Sequence, residues 1–309
     1  WVEWVYVKDA ASGKILGAKR YSEETGRSPK MTTMRIQGVR TGLRVTAFVL
    51  AHGVGGGLWR SSAFEMRPAR VHRIRSASDP ARLRKGIAEL LREVSPACVR
   101  DRGCFSLALS PDVVADLLAD AHAPFEGCDT ASWRVFITDQ EYVEGEEARG
   151  NEGGEAKGKE KKKPSLAEIL TGACRIPEDR IHLLDQSSRD AEDAAARYSR
   201  EITKLVPGAI DPEFDVVVLR LHRGGRVCGL EPGSGEALNK DVLVLASGAR
   251  VSFATPLLDA AKRIGVVVME EREGKQLEAE FDGPDPKRPL SQVSCVPEIF
   301  WFNLDKTAE

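Results

Sequence analysis

The chain has 309 residues, enough for one large or two ordinary domains, and its 42% hydrophobic and 30% charged residues are the balance of a soluble globular protein. No apolar run approaches the ~20 residues that span a bilayer, which excludes a helical membrane segment. The net charge of −2 is unevenly shared: residues 1 to 68 hold 11 Lys or Arg against 5 Asp or Glu, a net of +6 that leaves −8 for the remainder. A basic module beside an acidic one offers a surface for a protein partner. The six cysteines (Cys98, Cys104, Cys128, Cys174, Cys228, Cys295) form no C-x-x-C pair. They read as free thiols of a reducing intracellular compartment, cytoplasm or organelle stroma or matrix, and not as metal ligands. The chain begins at Trp1 with neither an initiator Met nor a charged-then-apolar leader, the pattern of a fragment or processed form.

Residues 1–67 read as all-β. Trp1–Val7, Ile15–Tyr21, Met31–Ile36, Leu43–Leu50 and Leu58–Met66 are strand candidates, separated by turns at Ala11-Ser12-Gly13, Glu24-Thr25-Gly26 and Thr41-Gly42. The pattern predicts a small immunoglobulin-like sandwich. Its motifs W-V-E-W-V-Y-V, R-V-T-A-F (Arg44 to Phe48) and G-L-W-R-S (Gly57 to Ser61) resemble the iron-binding domain of desulfoferrodoxin and superoxide reductase. That family has C-N-x-H-G-L-W at the last motif, with Cys and His on iron. Here Ala51 stands at the thiolate position and His52 is the one imidazole, so the resemblance implies no cofactor, and iron only if further ligands lie upstream.

From residue 68 the pattern becomes alternating α/β. Val71–Ile74 reads as a strand and Asp79–Leu91 as an amphipathic helix. Phe105–Leu109 is a second strand, leading through Ser110, Pro111 and Asp112 into a helix over Val113–Ala121. Trp133–Thr138 is a third. Residues 144–163, mostly Glu, Gly, Lys and Ala, read as a disordered insertion; its Lys157–Lys163 run lacks interleaved aromatics, so it reads as solvated and not as a nucleic-acid site. A helix starts at Ser165–Leu170 and a long one covers Asp190–Leu205. The apolar run Val216–Leu219 predicts a central strand buried on both faces of a parallel sheet, followed by a Gly-rich loop, Arg223-Gly224-Gly225-Arg226. Arg250–Leu258, a strand over Ile264–Met269, a helix over Lys275–Phe281 and a strand over Ile299–Asn303 complete residues 68–309.

These elements resemble the 6-phosphogluconolactonases, within the wider group of sugar-phosphate isomerases and deaminases. The family strand D-L-V-L-L-G-L-G runs on into P-D-G-H-T-A-S-L-F-P-G-H. In register here fall Asp215, Leu219, Leu221, Gly225, Leu230, Pro232 and Gly233. F-S-L-A-L-S is matched by Phe105–Ser110, I-P-E-E-N-I-H by Ile176–His182, and R-I-T-L-T-L-P-L-L by Arg250–Leu258. The resemblance implies a three-layer Rossmann-like parallel sheet over residues 68–309.

At the substrate motifs the sequence departs from that family. Arg226 occupies the position of the catalytic His, Gly224 that of the neighbouring Asp, and Pro111-Asp112 replaces the phosphate-binding glycines. A guanidinium stays protonated and cannot be a base. The resemblance then leaves Ser110, Gly225, Arg226 and Arg250 as candidates to hold an anionic sugar phosphate, with Asp139 and Glu141 on the rim. The expectation is a pseudoenzyme fused to a degenerate superoxide-reductase-like module, acting in binding or structure. One alternative is a sugar-phosphate lactonase or isomerase of the pentose phosphate pathway with an altered site; the other is an iron-dependent superoxide reductase. Neither a membrane nor nucleic acid is expected as a partner.

Overall fold

A computed structural model describes residues 2–9, 15–22, 45–52, 58–60, 64–66, 71–143, 164–208, 211–269, 287–293, 296 and 298–304. The chain divides into two compact units, Trp1–Arg70 and Val71–Glu309. In the first unit β1 (Val2–Asp9), β2 (Ile15–Ser22), β3 (Val45–His52), β4 (Leu58–Arg60) and β5 (Phe64–Met66) form one antiparallel sheet of order β2-β1-β3-β4, with β5 also on β3. The second sheet that the expected sandwich needs is not among the described residues. The strand expected at Met31–Ile36 also lies outside them, as do the insertion at 144–163 and the helix at Lys275–Phe281.

The second unit is built on a seven-stranded parallel sheet. Its strands are β6 (Val71–Ala77), β7 (Phe105–Leu109), β8 (Trp133–Ile137), β10 (Ile181–His182), β11 (Val216–Arg220), β14 (Arg263–Val268) and β15 (Glu298–Leu304), in the order β10-β8-β7-β11-β14-β15-β6. Every neighbouring pair is parallel. The continuous apolar runs have their cause here, because alternate side chains enter different cores. Val216 and Val218 join Leu107 and Leu109 in one cluster with the helix α1 (Pro80–Arg102), through Leu83, Ile87, Leu90 and Leu91. Val217 and Leu219 join Ala108 and Phe136 in the other, with Tyr198 and Ile202 of α4 (Ala191–Leu205). The result is three layers.

Helix α1 begins as the sequence indicates, with the Asp79 carboxylate accepting from the Arg82 N–H at 2.9 Å and Pro80 in the first turn. It runs well past Leu91, through Pro96, to a left-handed Gly103 cap. Proline removes one helical hydrogen bond, but Val94 and Ser95 are buried beside it and the packing carries the helix on. Arg250–Phe253 is a strand outside the seven-stranded sheet. This strand, β13, belongs to a small antiparallel side sheet, β12-β13-β9, with β9 at Asp139–Glu141 and β12 at Val244–Ser247.

One buried carboxylate holds the opposite end of the sheet. Asp215, at the start of β11, is 1% exposed and accepts from the Ser106 N–H and hydroxyl of β7, both at 3.0 Å. It also accepts from Arg102 at the end of α1 and from Lys262, just before β14, at 3.3 Å. Burial alone would raise this carboxyl, but the Ser106 N–H, Arg102 and Lys262 outweigh it and hold it below the usual carboxylate range. Breaking a buried ion pair by removing one partner costs about 3–5 kcal/mol, so Asp215→Ala should lose roughly that much in equilibrium urea denaturation. Because the folded carboxyl ionises more readily than the unfolded one, its contribution is present above the ordinary carboxylate range and is lost as pH falls through the lowered value. The wild type should therefore be the steeper of the two in acid.

Candidate active site

The chain leaves β7 towards β8 on one side of the sheet and leaves β11 towards β14 on the other, so β7 and β11 flank the topological switch point. Ligands of open parallel sheets bind in the crevice at the carboxyl ends of such strands. The structure has an open cleft there of about 420 Å³. Pro111 and Asp112 reach it from the turn after β7, at the first short helix α2 (Pro111–Val113). His222 and Arg226 reach it from the turn after β11. Asp139, Gln140 and Glu141 come from β9 and Arg250 from β13, while Leu166 of α3 (Leu166–Gly172) and Gln186 close the rim.

The turn after β11 is short and tight. The His222 N–H donates to the Arg226 carbonyl at 2.9 Å, and the Gly225 N–H donates to the His222 carbonyl at 3.0 Å. Gly224 and Gly225 sit at φ of 88° and 91°, which a side chain would disfavour, so the glycines let both His222 and Arg226 face the cleft. The two positions of this turn that carry chemistry are thus its first and last residues.

Three side-chain pairs organise the site. His222 Nε2 lies 3.0 Å from Asp112 Oδ2. That hydrogen bond, reinforced by the charges of Arg220 and Arg226, holds Asp112 below the ordinary carboxylate range against partial burial. Arg250 Nη1 donates to Asp139 Oδ2 at 2.7 Å, a contact set by the β13–β9 register that pairs Ser252 with Asp139 and Arg250 with Glu141. Asp139 is 4% exposed, and burial pushes its carboxyl up despite the Thr138 hydroxyl at 3.0 Å and the Arg250 charge; Asp112 adds to the rise. Arg226 has a looser partner, Glu231, at 3.4 Å on the exposed side of the loop.

Of the residues singled out in the sequence, Arg226, Arg250, Asp139 and Glu141 meet in this cleft. Ser110 and Gly225, the other two candidates for holding an anion, are not among the residues that line it. Ser110 is 2% exposed and its N–H donates to the Val218 carbonyl at 2.9 Å, tying β7 to β11. Gly225 serves the turn and faces Pro232 and Arg288. The backbone of His52 lies in β3, and its side chain is outside the described residues. Among the described residues, no group of three or more His, Cys, Asp or Glu is placed to hold a metal ion.

Sequence reasoning passed over His222 and the glutamines. Gln186 bridges strand ends, donating to the Glu141 carbonyl at 2.9 Å and accepting from the Val143 N–H at 3.0 Å. The signal that could have found His222 is its place, two residues beyond a buried strand at the switch point.

The fold is a doubly wound parallel α/β sheet with an open cleft at the switch point between its two halves. The chain belongs to the glucosamine-6-phosphate isomerase/6-phosphogluconolactonase family, whose model matches residues 78–301. It is 25% identical to the 6-phosphogluconolactonase of Rattus norvegicus over 244 residues, covering 75% of this chain and 90% of that protein. It is 29% identical to the GDH/6PGL endoplasmic bifunctional protein of Homo sapiens over 67% of this chain and 26% of that protein. The 6-phosphogluconolactonase structure from Trypanosoma brucei superposes with a TM-score of 0.57 at 17% identity, covering 76% of this chain and 97% of that one.

The expected pseudoenzyme and the superoxide-reductase-like function are thereby corrected. The 6-phosphogluconolactonase of Rattus norvegicus and the probable 6-phosphogluconolactonase 2 of Oryza sativa are each matched along 90% of their own length, and the cleft is open and furnished with an imidazole.

Gly229 (φ 72°) lets Arg250 pass, because a Cβ there would lie 2.6 Å from Arg250 Cδ. The left-handed backbone alone should cost a side chain about 1–2 kcal/mol. Gly229→Ala should therefore lower the melting temperature and dislodge Arg250 from Asp139. Losing that positive charge should raise the Asp139 carboxyl pKa still further, which NMR titration would read. An unchanged melting temperature and an unchanged Asp139 titration would show that Arg250 has another route.

Proposed function

We propose that the chain is a sugar-phosphate lactone hydrolase of the 6-phosphogluconolactonase type, working in the pentose phosphate pathway with a rearranged site. The observation that carries this reading is the meeting of Arg226, Arg250, His222 and Asp112 in one cleft at the switch point of the sheet. Hydrolysis of such a lactone needs a cation to hold the phosphate and a group to accept a proton from water. A cleft of about 420 Å³ suits a ligand of this size.

The two arginines divide the work. Arg250 is committed to the buried carboxyl of Asp139 and shapes the wall of the cleft. Among the described residues Arg226 pairs with Glu231, whose side chain is 65% exposed, and an exposed pair of that kind is worth ~0–1 kcal/mol. A substrate phosphate can displace it and take the guanidinium bidentately. The described cysteines are all free, which supports a reducing compartment.

The test is hydrolysis of 6-phosphogluconolactone by the full chain, followed through formation of 6-phosphogluconate and corrected for spontaneous opening. Turnover well above background is expected. A charge-assisted hydrogen bond contributes about 1.5–3 kcal/mol, so Arg226→Ala should lower kcat/KM roughly 10- to 100-fold, mainly through KM. Absence of turnover by the wild type would refute the reading.

A further inference from the structure

We propose that His222, positioned by Asp112, is the general base of this site, four residues before the loop position that Arg226 now fills. This rests on the lactonase reading above and adds to it the identity of the proton acceptor. Arg226 cannot serve, since guanidinium stays protonated. Among the described residues His222 is the one imidazole lining the cleft, and imidazole changes charge in the range where such catalysis works.

The placement follows from the sheet. β7 and β11 are adjacent, with Val216 beside Leu107 and Val218 beside Leu109. Asp112 lies three residues beyond the last residue of β7, and His222 two beyond the last residue of β11. Two neighbouring parallel strands thus deliver one partner each to the same end of the sheet, and Nε2 and Oδ2 meet at 3.0 Å. A carboxylate only accepts hydrogen bonds, so Nε2 carries the proton, and the lone pair of Nδ1 is the part of the ring that can take another. The carboxylate then orients the ring and stabilises the imidazolium once it forms, the role of the acid in a His–Asp pair.

The step balances without any co-reactant. Water forms a bond to the lactone carbonyl carbon while its proton passes to His222, and the carbonyl oxygen becomes an oxyanion. Collapse of the tetrahedral intermediate re-forms the carbonyl and breaks the ring C–O bond, and the leaving oxygen takes the proton from the imidazolium. The product acid then releases one proton to solvent. Among the described residues the charged groups around the pair are Arg220 at the end of β11, Arg226 at the end of the turn that carries His222, and Asp139, Glu141 and Arg250 from the side sheet. Asp112 is the charged group that bonds to the ring, so its removal has a defined sign: the imidazolium loses its counter-charge and forms less readily.

The experiment is kcat and KM against pH for the wild type, His222→Gln, Asp112→Asn and Arg226→Ala, with folding checked by circular dichroism. The wild type should lose kcat towards acid as the base becomes protonated. His222→Gln should drop kcat ~10²- to 10⁴-fold and lose that acid limb. Asp112→Asn should lower kcat and move the limb to lower pH with KM little changed, a shift that a merely structural role would not produce. Arg226→Ala should raise KM and keep the limb. An active wild type whose His222→Gln variant retains kcat and the acid limb overturns the base assignment and leaves the lactonase reading intact. An inactive wild type overturns both. If His222→Gln fails to fold, the direction of the Asp112→Asn limb decides: no shift refutes the pair.

Discussion

The arrangement depends on a single carboxylate at the end of the sheet away from the cleft. Asp215 is held by donors from α1, β7 and the approach to β14, so it fixes the axial position of β11 against β7. In a parallel sheet a slip of one residue turns every side chain to the other face. Here it would exchange Val217 and Leu219 with Val216 and Val218 between two different cores. It would also carry His222 one residue along, out of reach of Asp112. A charge buried beneath the sheet therefore sets the distance between two side chains at its top.

The cleft illustrates how charge is distributed when a loop changes. Among the described residues three acids and two arginines line it together with one imidazole. Left unpaired, such groups would repel or suffer the cost of desolvation. The side sheet resolves one pair by placing Arg250 on the buried Asp139, and the β7 and β11 turns resolve another by joining His222 to Asp112. Arg226 is left with the weakest tie, which makes it the cation that an incoming anion meets at least cost.

Much of the scaffold was legible because its causes are local. Continuous β-branched runs such as Val216–Leu219 need two covered faces, and the Asp79-Pro80 start of α1 needs only neighbouring residues. The continuation of that helix past Pro96 depends on packing that local pattern does not display. The site was less legible for a related reason. Comparing motifs position by position registers a missing imidazole at 226 and is blind to an imidazole four residues earlier. Its partner lies 110 positions away, at Asp112, and only the β7–β11 pairing makes the two neighbours. The expectation of a retired site has its origin in that blindness. The side sheet was hidden likewise, since β9 and β13 pair over more than a hundred residues.

The outer edge of the sheet carries a consequence of another kind. β6, the first strand of the α/β unit, pairs in parallel with β15, its last, from Val71 beside Glu298 to Ala77 beside Leu304. Glu298 ties the edge further, binding Arg73 at 2.6 Å and Arg263 at 3.1 Å. During synthesis β6 emerges first and waits for more than two hundred residues before its neighbour in the sheet exists. Contacts of such long separation slow folding, and an unpaired strand edge invites association with other chains. The unit therefore cannot complete itself segment by segment as it leaves the ribosome. Closure of this edge of the sheet has to wait until the last strand has been made.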